Sequence, residues 1–117
     1  MKVIIAGSRD FSNYQLLAET MASLNIEIDI VICGCARGAD SLGRDWAHNH
    51  NIPVVEFPAE WGVYGKAAGF IRNQKMGDYA DYLVAFWDKK STGTKNMIEY
   101  MQSLGKHGKV VFFDNVR

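Results

Sequence analysis

The stretch Val3-Ile4-Ile5-Ala6-Gly7-Ser8-Arg9-Asp10-Phe11-Ser12-Asn13-Tyr14-Gln15-Leu16 decides the fold. It opens on a short continuous apolar run, residues 3–6, with no polar alternation. Such a run suits a strand buried on both faces, and so a parallel sheet covered by helices. Ser12 and Gln15 then fit the S/T-x-x-E/Q capping box, and Phe11 and Leu16 stand where a hydrophobic staple would. Tyr14, Leu17, Ala18, Met21 and Leu24 follow at helical spacing. Residues 7–11 therefore read as the loop between a first strand and a first helix.

Four more apolar runs repeat the pattern, at residues 30–33, 54–57, 83–86 and 110–113. Helical segments separate them. The second helix should start near Asp40 and run through Leu42 and Trp46. The third connection is a long loop, residues 58–65, carrying Trp61 and Tyr64, with a helix expected over 66–76. Ser91 and Thr92 are good N-caps for the last helix. Met97, Ile98, Met101 and Leu104 form its apolar stripe, and Gly105 and Gly108 should end it. The alternation of strand and helix predicts one α/β domain over residues 1–117. It has three layers (α/β/α) around a five-stranded parallel sheet with strand order 3-2-1-4-5.

The 117 residues carry 13 basic and 13 acidic side chains, a formal net charge of zero. Broad, sequence-blind binding to nucleic acid or anionic membranes needs an excess of Lys and Arg, so both are excluded as main roles. With 48% hydrophobic and 22% charged residues the chain is ordinary globular material, not a disordered one. No apolar run approaches the roughly 18 residues of a membrane span, and the first is too short for a signal peptide. A cytoplasmic protein is expected. Cys33 and Cys35, one residue apart, make a poor disulfide and too small a ligand set for zinc. No metal and no cofactor are expected. A G-x-G-x-x-G after the first strand, a P-loop and a G-x-S-x-G elbow are all missing.

In an open parallel sheet, ligands sit beyond the carboxyl ends of the strands where the strand order reverses. Three loops should converge there. They are Gly7-Ser8-Arg9-Asp10, then Gly34-Cys35-Ala36-Arg37-Gly38-Ala39-Asp40, then Trp87-Asp88-Lys89-Lys90-Ser91-Thr92-Gly93-Thr94. Each joins glycine, a small or hydroxyl residue and a cation just ahead of a helix. Glycine admits a ligand close to the backbone, and a helix N-terminus presents unpaired N–H groups and the positive end of its dipole. The combination describes an anion site, phosphate above all. Lys66, Gly69 and Asn73 fall on one face of the third helix with Arg72 beside them, and they extend the same site. Cations gather here: Arg9, Arg37, Lys66, Lys89, Lys90 and Arg72. Acids such as Glu19, Glu27, Asp29, Asp45, Glu99 and Asp114 fall elsewhere, so a locally cationic cleft is expected.

These blocks, with Gly65-Lys66-Ala67-Ala68-Gly69-Phe70-Ile71-Arg72-Asn73 and residues 58–61, resemble the SLOG superfamily, and within it the YspA/YpsA-related branch. The resemblance covers nearly the whole chain. It implies a Rossmann-like fold that binds nucleotides or nucleotide-derived ligands, with homo-oligomers as the common state. Relatives include LOG-type phosphoribohydrolases, DprA single-stranded DNA binders and sensor domains for NAD-derived signals. Residues 34–40 resemble the phosphate loop G-x-A-R-G-x-D of DprA-like members. Ser91-Thr92-Gly93-Thr94 resembles the second half of the LOG motif P-G-G-x-G-T-x-x-E, in which the catalytic Glu is replaced here by Met97.

The first expectation is a binding module for a phosphorylated nucleotide or nucleotide-derived small molecule. Its contacts would be Gly7, Ser8, Arg9, Gly34, Arg37, Gly38, Asp40, Lys66, Arg72, Asn73, Ser91, Gly93 and Thr94. The alternative is an enzyme that hydrolyses an N-glycosidic bond in a nucleotide. That chemistry needs carboxylates near the anomeric carbon, for which Asp10, Asp88 and Glu60 are the candidates. Single-stranded DNA binding is the third reading, disfavoured by the zero net charge.

Overall fold

The structure, a computed structural model, describes residues 1–35 and 37–114. Five parallel strands form one sheet in the order β3-β2-β1-β4-β5. They are β1 (Lys2–Gly7), β2 (Ile30–Cys33), β3 (Val54–Glu56), β4 (Tyr82–Trp87) and β5 (His107–Phe112). The helices are α1 (Tyr14–Ser23), α2 (Ala39–Asn49), a single turn α3 (Trp61–Tyr64), α4 (Ala68–Tyr79) and α5 (Thr92–Ser103).

The continuous apolar runs do what two-faced burial requires. Successive side chains of a strand point to opposite faces. Val3 and Ile5 of β1 therefore enter one core with Leu17, Met21, Trp46 and Phe86, beneath α1 and α2. Ile4 and Ala6 enter a second core with Met76, Met97 and Met101, beneath α4 and α5. The chain is thus the expected three-layer α/β/α domain. Among the described residues, no helix is long and apolar enough to cross a membrane.

Several local expectations are corrected. The cap of α1 is Asn13, whose side chain accepts a hydrogen bond from the Leu16 N–H, one residue later than the Ser12 box. Phe11 is buried, but it stacks on Phe86 with ring centroids 4.6 Å apart, an anchor for the loop rather than the N′ half of a staple. Residues 61–67 are not plain loop. They hold α3 and a 3₁₀ turn, Gly65–Ala67, so Lys66 precedes α4 instead of opening it. Gly105, at φ +71°, follows the end of α5 as expected. Gly108 does not, because β5 begins at His107 and its backbone pairs His107, Gly108 and Lys109 with Tyr82, Leu83 and Val84.

The layers are close. A Cβ added to Gly43 of α2 would lie 2.6 Å from Ile5 Cγ2 and 2.8 Å from Ile5 Cβ. Gly43→Ala should therefore overpack the α2–β1 contact and cost about 1–3 kcal/mol. The urea midpoint should fall with its slope unchanged. An unchanged midpoint would mean that α2 can shift off β1 freely.

Candidate functional site

The strand order reverses between β1 and β4, which leaves a crevice at their carboxyl ends. A cleft of about 640 Å³ lies there, inside the usual range of about 300–1,000 Å³ for small-molecule sites. Gly7, Ser8, Arg9, Asp10, Asp40, Lys66, Arg72, Asn73, Asp88, Ser91, Gly93 and Thr94 all line it. Gly34, Arg37, Gly38 and Glu60 do not. Ala36, in the second loop, lies outside the described residues.

The first two loops are pressed together, and glycine is why they can be. A side chain on Gly7 would run into the Phe86 carbonyl oxygen and lie 2.8 Å from the Ala39 Cβ. Gly38 caps α2 at φ +76°, and a Cβ there would meet the Ser8 carbonyl and lie 2.6 Å from that of Arg9. Gly38 thus seats the start of α2 under the first loop, acting behind the cleft wall. Gly34 has a related part. A Cβ on it would stand 2.6 Å from Arg72 Nη1 and 3.0 Å from Asp40 Oδ2. Arg37 is exposed beside these positions.

The loop after β4 is built around Asp88. Its Oδ1 accepts the N–H groups of Lys90 and Ser91, each at 2.8 Å. The Ser8 hydroxyl accepts the Asp88 N–H at 3.3 Å, tying this loop to the first. Partial burial acts to raise the Asp88 carboxyl. The backbone bonds from Ser91 and Lys90 and the Ser8 hydroxyl outweigh it and hold the group below its ordinary 3.8. Ser91 caps α5, its hydroxyl accepting the Thr94 N–H at 3.3 Å and meeting the Thr94 hydroxyl at 3.0 Å. The first N–H groups of a helix have no acceptor within it. In α5 those of Thr92 and Gly93 stand at the cleft, and a Cβ on Gly93 would meet nothing within 4 Å. Space beside the backbone is open at this helix start.

On the far wall, Asn73 is buried and its carboxamide is fully committed as a donor. Nδ2 donates to the Gly93 carbonyl and to Asn96 Oδ1, both at 3.0 Å. Its Oδ1 accepts Arg72 Nε at 3.1 Å. Arg72 Nη1 donates in turn to the Gly34 carbonyl. These two residues, expected as ligand contacts, first of all brace α4 against α5 and the second loop. Glu60, outside the cleft lining, pairs with Lys75 at 3.6 Å, a surface ion pair.

The charge of the cleft is more mixed than the sequence pattern implied. Arg9, Lys66, Arg72 and Lys90 line it together with Asp10, Asp40 and Asp88. Lys89 leaves, its ammonium 4.8 Å above the Phe112 ring. Phe70 was missed by the sequence reading. It lies one turn beyond Lys66 and lines the same cleft, so the stripe through Lys66 and Gly69 carried the signal. Neither thiol is a ready nucleophile: burial first, then the Asp40 and Glu56 charges, push Cys33 up to about 12, and burial and Glu56 raise Cys35.

A carboxyl held low stabilises the fold above its ordinary pKa and loses that contribution as the pH falls through the lowered value. Acidification should therefore loosen the loop after β4. A carbon-13 titration should place the Asp88 midpoint below 3.8. Ser8→Ala should move it upward by removing one of the bonds to the ionised form. A midpoint unmoved by Ser8→Ala would detach Ser8 from the Asp88 cluster.

Comparison with known proteins now adds to the geometry. A sequence model of the YspA, cpYpsA-related SLOG family (YAcAr) matches residues 1–64. The Gene 61 protein of Mycobacterium phage D29 is 31% identical over 114 residues, covering 89% of this chain and 90% of that protein. Among solved structures, DNA processing protein A (DprA) from Streptococcus pneumoniae superposes with a TM-score of 0.76 at 16% identity. That likeness covers 93% of this chain and 49% of the DprA chain, so the domain spans about half of its structural neighbour and shares its Rossmann-like fold. The chain belongs to the YspA, cpYpsA-related SLOG family.

Proposed function

We propose that the cleft binds a phosphorylated nucleotide or a nucleotide-derived small molecule. The observation that carries this reading is the unobstructed start of α5 at Thr92 and Gly93, facing a cleft that also holds Arg9, Lys66 and Lys90. Backbone N–H groups and the dipole of a 12-residue helix favour an anion at that point. Asp88, kept ionised by its hydrogen bonds, suits a ribose hydroxyl as an acceptor. The zero net charge supports a small ligand over a polymer, even though the structural neighbour is named for DNA processing.

A second reading, hydrolysis of an N-glycosidic bond, draws on Asp10 and Asp88 lining one cleft. An ionised Asp88 would favour an oxocarbenium-like state. Against this, Met97 lies in the lining at the position that resembles the LOG catalytic Glu. Free base released from AMP, abolished in Asp10→Asn and Asp88→Asn, would establish turnover in place of simple binding.

Calorimetry with AMP, ADP, ADP-ribose and NAD tests the binding reading. At least one should bind, and Arg9→Ala, Lys66→Ala or Lys90→Ala should each weaken it about tenfold, the loss of one charged hydrogen bond. Lys109→Ala, on the edge strand β5, should leave the affinity unchanged. No heat with any of the four ligands would refute the reading.

A further inference from the structure

We infer that the site takes a ligand with an aromatic base and holds that base by stacking on Trp61 and Phe70, with little discrimination between bases. The inference rests on the proposed nucleotide reading and concerns the aromatic lining of the same cleft. Two large aromatic side chains line it while remaining open to solvent, Trp61 at 55% and Phe70 at 47% exposure. They come from different elements: Trp61 opens α3, and Phe70 lies in the first turn of α4. The indole reaches α4 beside Phe70, with Trp61 Cη2 3.6 Å from the place a Cβ on Gly69 would take, an ordinary contact distance. Tyr64, Tyr79 and Phe112 are exposed as well, but none of them lines the cleft, whereas Phe11 and Phe86 are spent on packing against each other. A solvated indole and phenyl lining the cleft leave their faces available to a flat, weakly hydrated ring.

Little base discrimination is expected because the carboxamide and two of the hydroxyls in the lining are engaged within the protein. Edges of bases are read by carboxamides and other fixed donors and acceptors. Asn73 is the one carboxamide among the described lining residues, and both its N–H bonds go to Gly93 and Asn96. The Ser91 and Thr94 hydroxyls bond each other. Stacking needs only a π-face, which every base has.

The test is calorimetry with AMP, GMP, CMP, UMP and ribose 5-phosphate on the wild type, Trp61→Ala, Trp61→Phe and Phe70→Ala. The nucleotides should bind about tenfold more tightly than ribose 5-phosphate and lie within about threefold of one another. Trp61→Ala and Phe70→Ala should each shrink the gap to ribose 5-phosphate, while Trp61→Phe keeps most of it. Equal binding of AMP and ribose 5-phosphate would overturn the stacking inference and leave the phosphate reading standing. Preference for one base by more than about tenfold would also overturn it, since that exceeds what stacking alone selects. So would a Trp61→Ala variant that keeps the gap but changes subunit number by native mass spectrometry, because the aromatics would then serve an interface between copies. Failure of all five compounds to bind would overturn the stacking inference, and with ADP, ADP-ribose and NAD silent as well it would remove the phosphate reading too.

Discussion

The buried carboxamide of Asn73 is the point on which the cleft depends. A buried polar group is costly unless its hydrogen bonds are made. Asn73 makes them in three directions, to Gly93 and Asn96 on α5 and to Arg72 on its own helix. One turn further along α4, Gly77 lets the Tyr100 ring approach, with 2.6 Å between Tyr100 Cδ2 and the place a Cβ would take. The two contacts set the spacing of α4 and α5 over the second core. Arg72 carries the brace across the sheet to the Gly34 carbonyl after β2. The same few bonds thus join structure on both sides of the β1–β4 reversal and fix the width of the crevice between them.

What that frame leaves uncommitted is what a ligand can use. The hydroxyls of Ser8, Ser91 and Thr94 serve the loops, and the Asp88 carboxylate organises the turn into α5. The start of α5, the cations Arg9, Lys66 and Lys90, and the aromatic pair Trp61 and Phe70 remain directed at the cleft. An anion-binding end and a flat apolar surface in one small cavity match the two chemical halves of a nucleotide. A fixed frame with a few directed groups also lowers the ordering cost of binding.

Much of the fold could be read from the chain because burial on both sheet faces leaves a signature that few other structures share. Residues 3–6, 30–33 and 83–86 sit inside strands, and the order 3-2-1-4-5 holds. The start of β5 was hidden because an edge strand can pair through its backbone with polar side chains such as His107 and Lys109 facing water. The shift of the α1 cap from Ser12 to Asn13 reflects two adjacent residues of similar capping strength. The single turn α3 is too short to show a period. At the site, most of the named lining residues could be placed by topology alone. The bracing roles of Asn73 and Arg72 could not, because their partners lie 20, 23 and 38 residues away in the sequence. Nor could the diversion of Glu60 to Lys75, which depends on how α3 and α4 meet.

The central claim is that a phosphorylated ligand docks at the start of α5 inside the reversal crevice. Amide chemical shifts of the nitrogen-15-labelled protein titrated with AMP test it most directly. The account predicts saturable shifts at Thr92, Gly93 and the loop from Gly7 to Asp10, with Leu42, Asp45, His48 and Asn49 around the hollow beside α2 unmoved. Shifts confined to that second hollow, or a saturable response that leaves Gly93 unchanged, would contradict it.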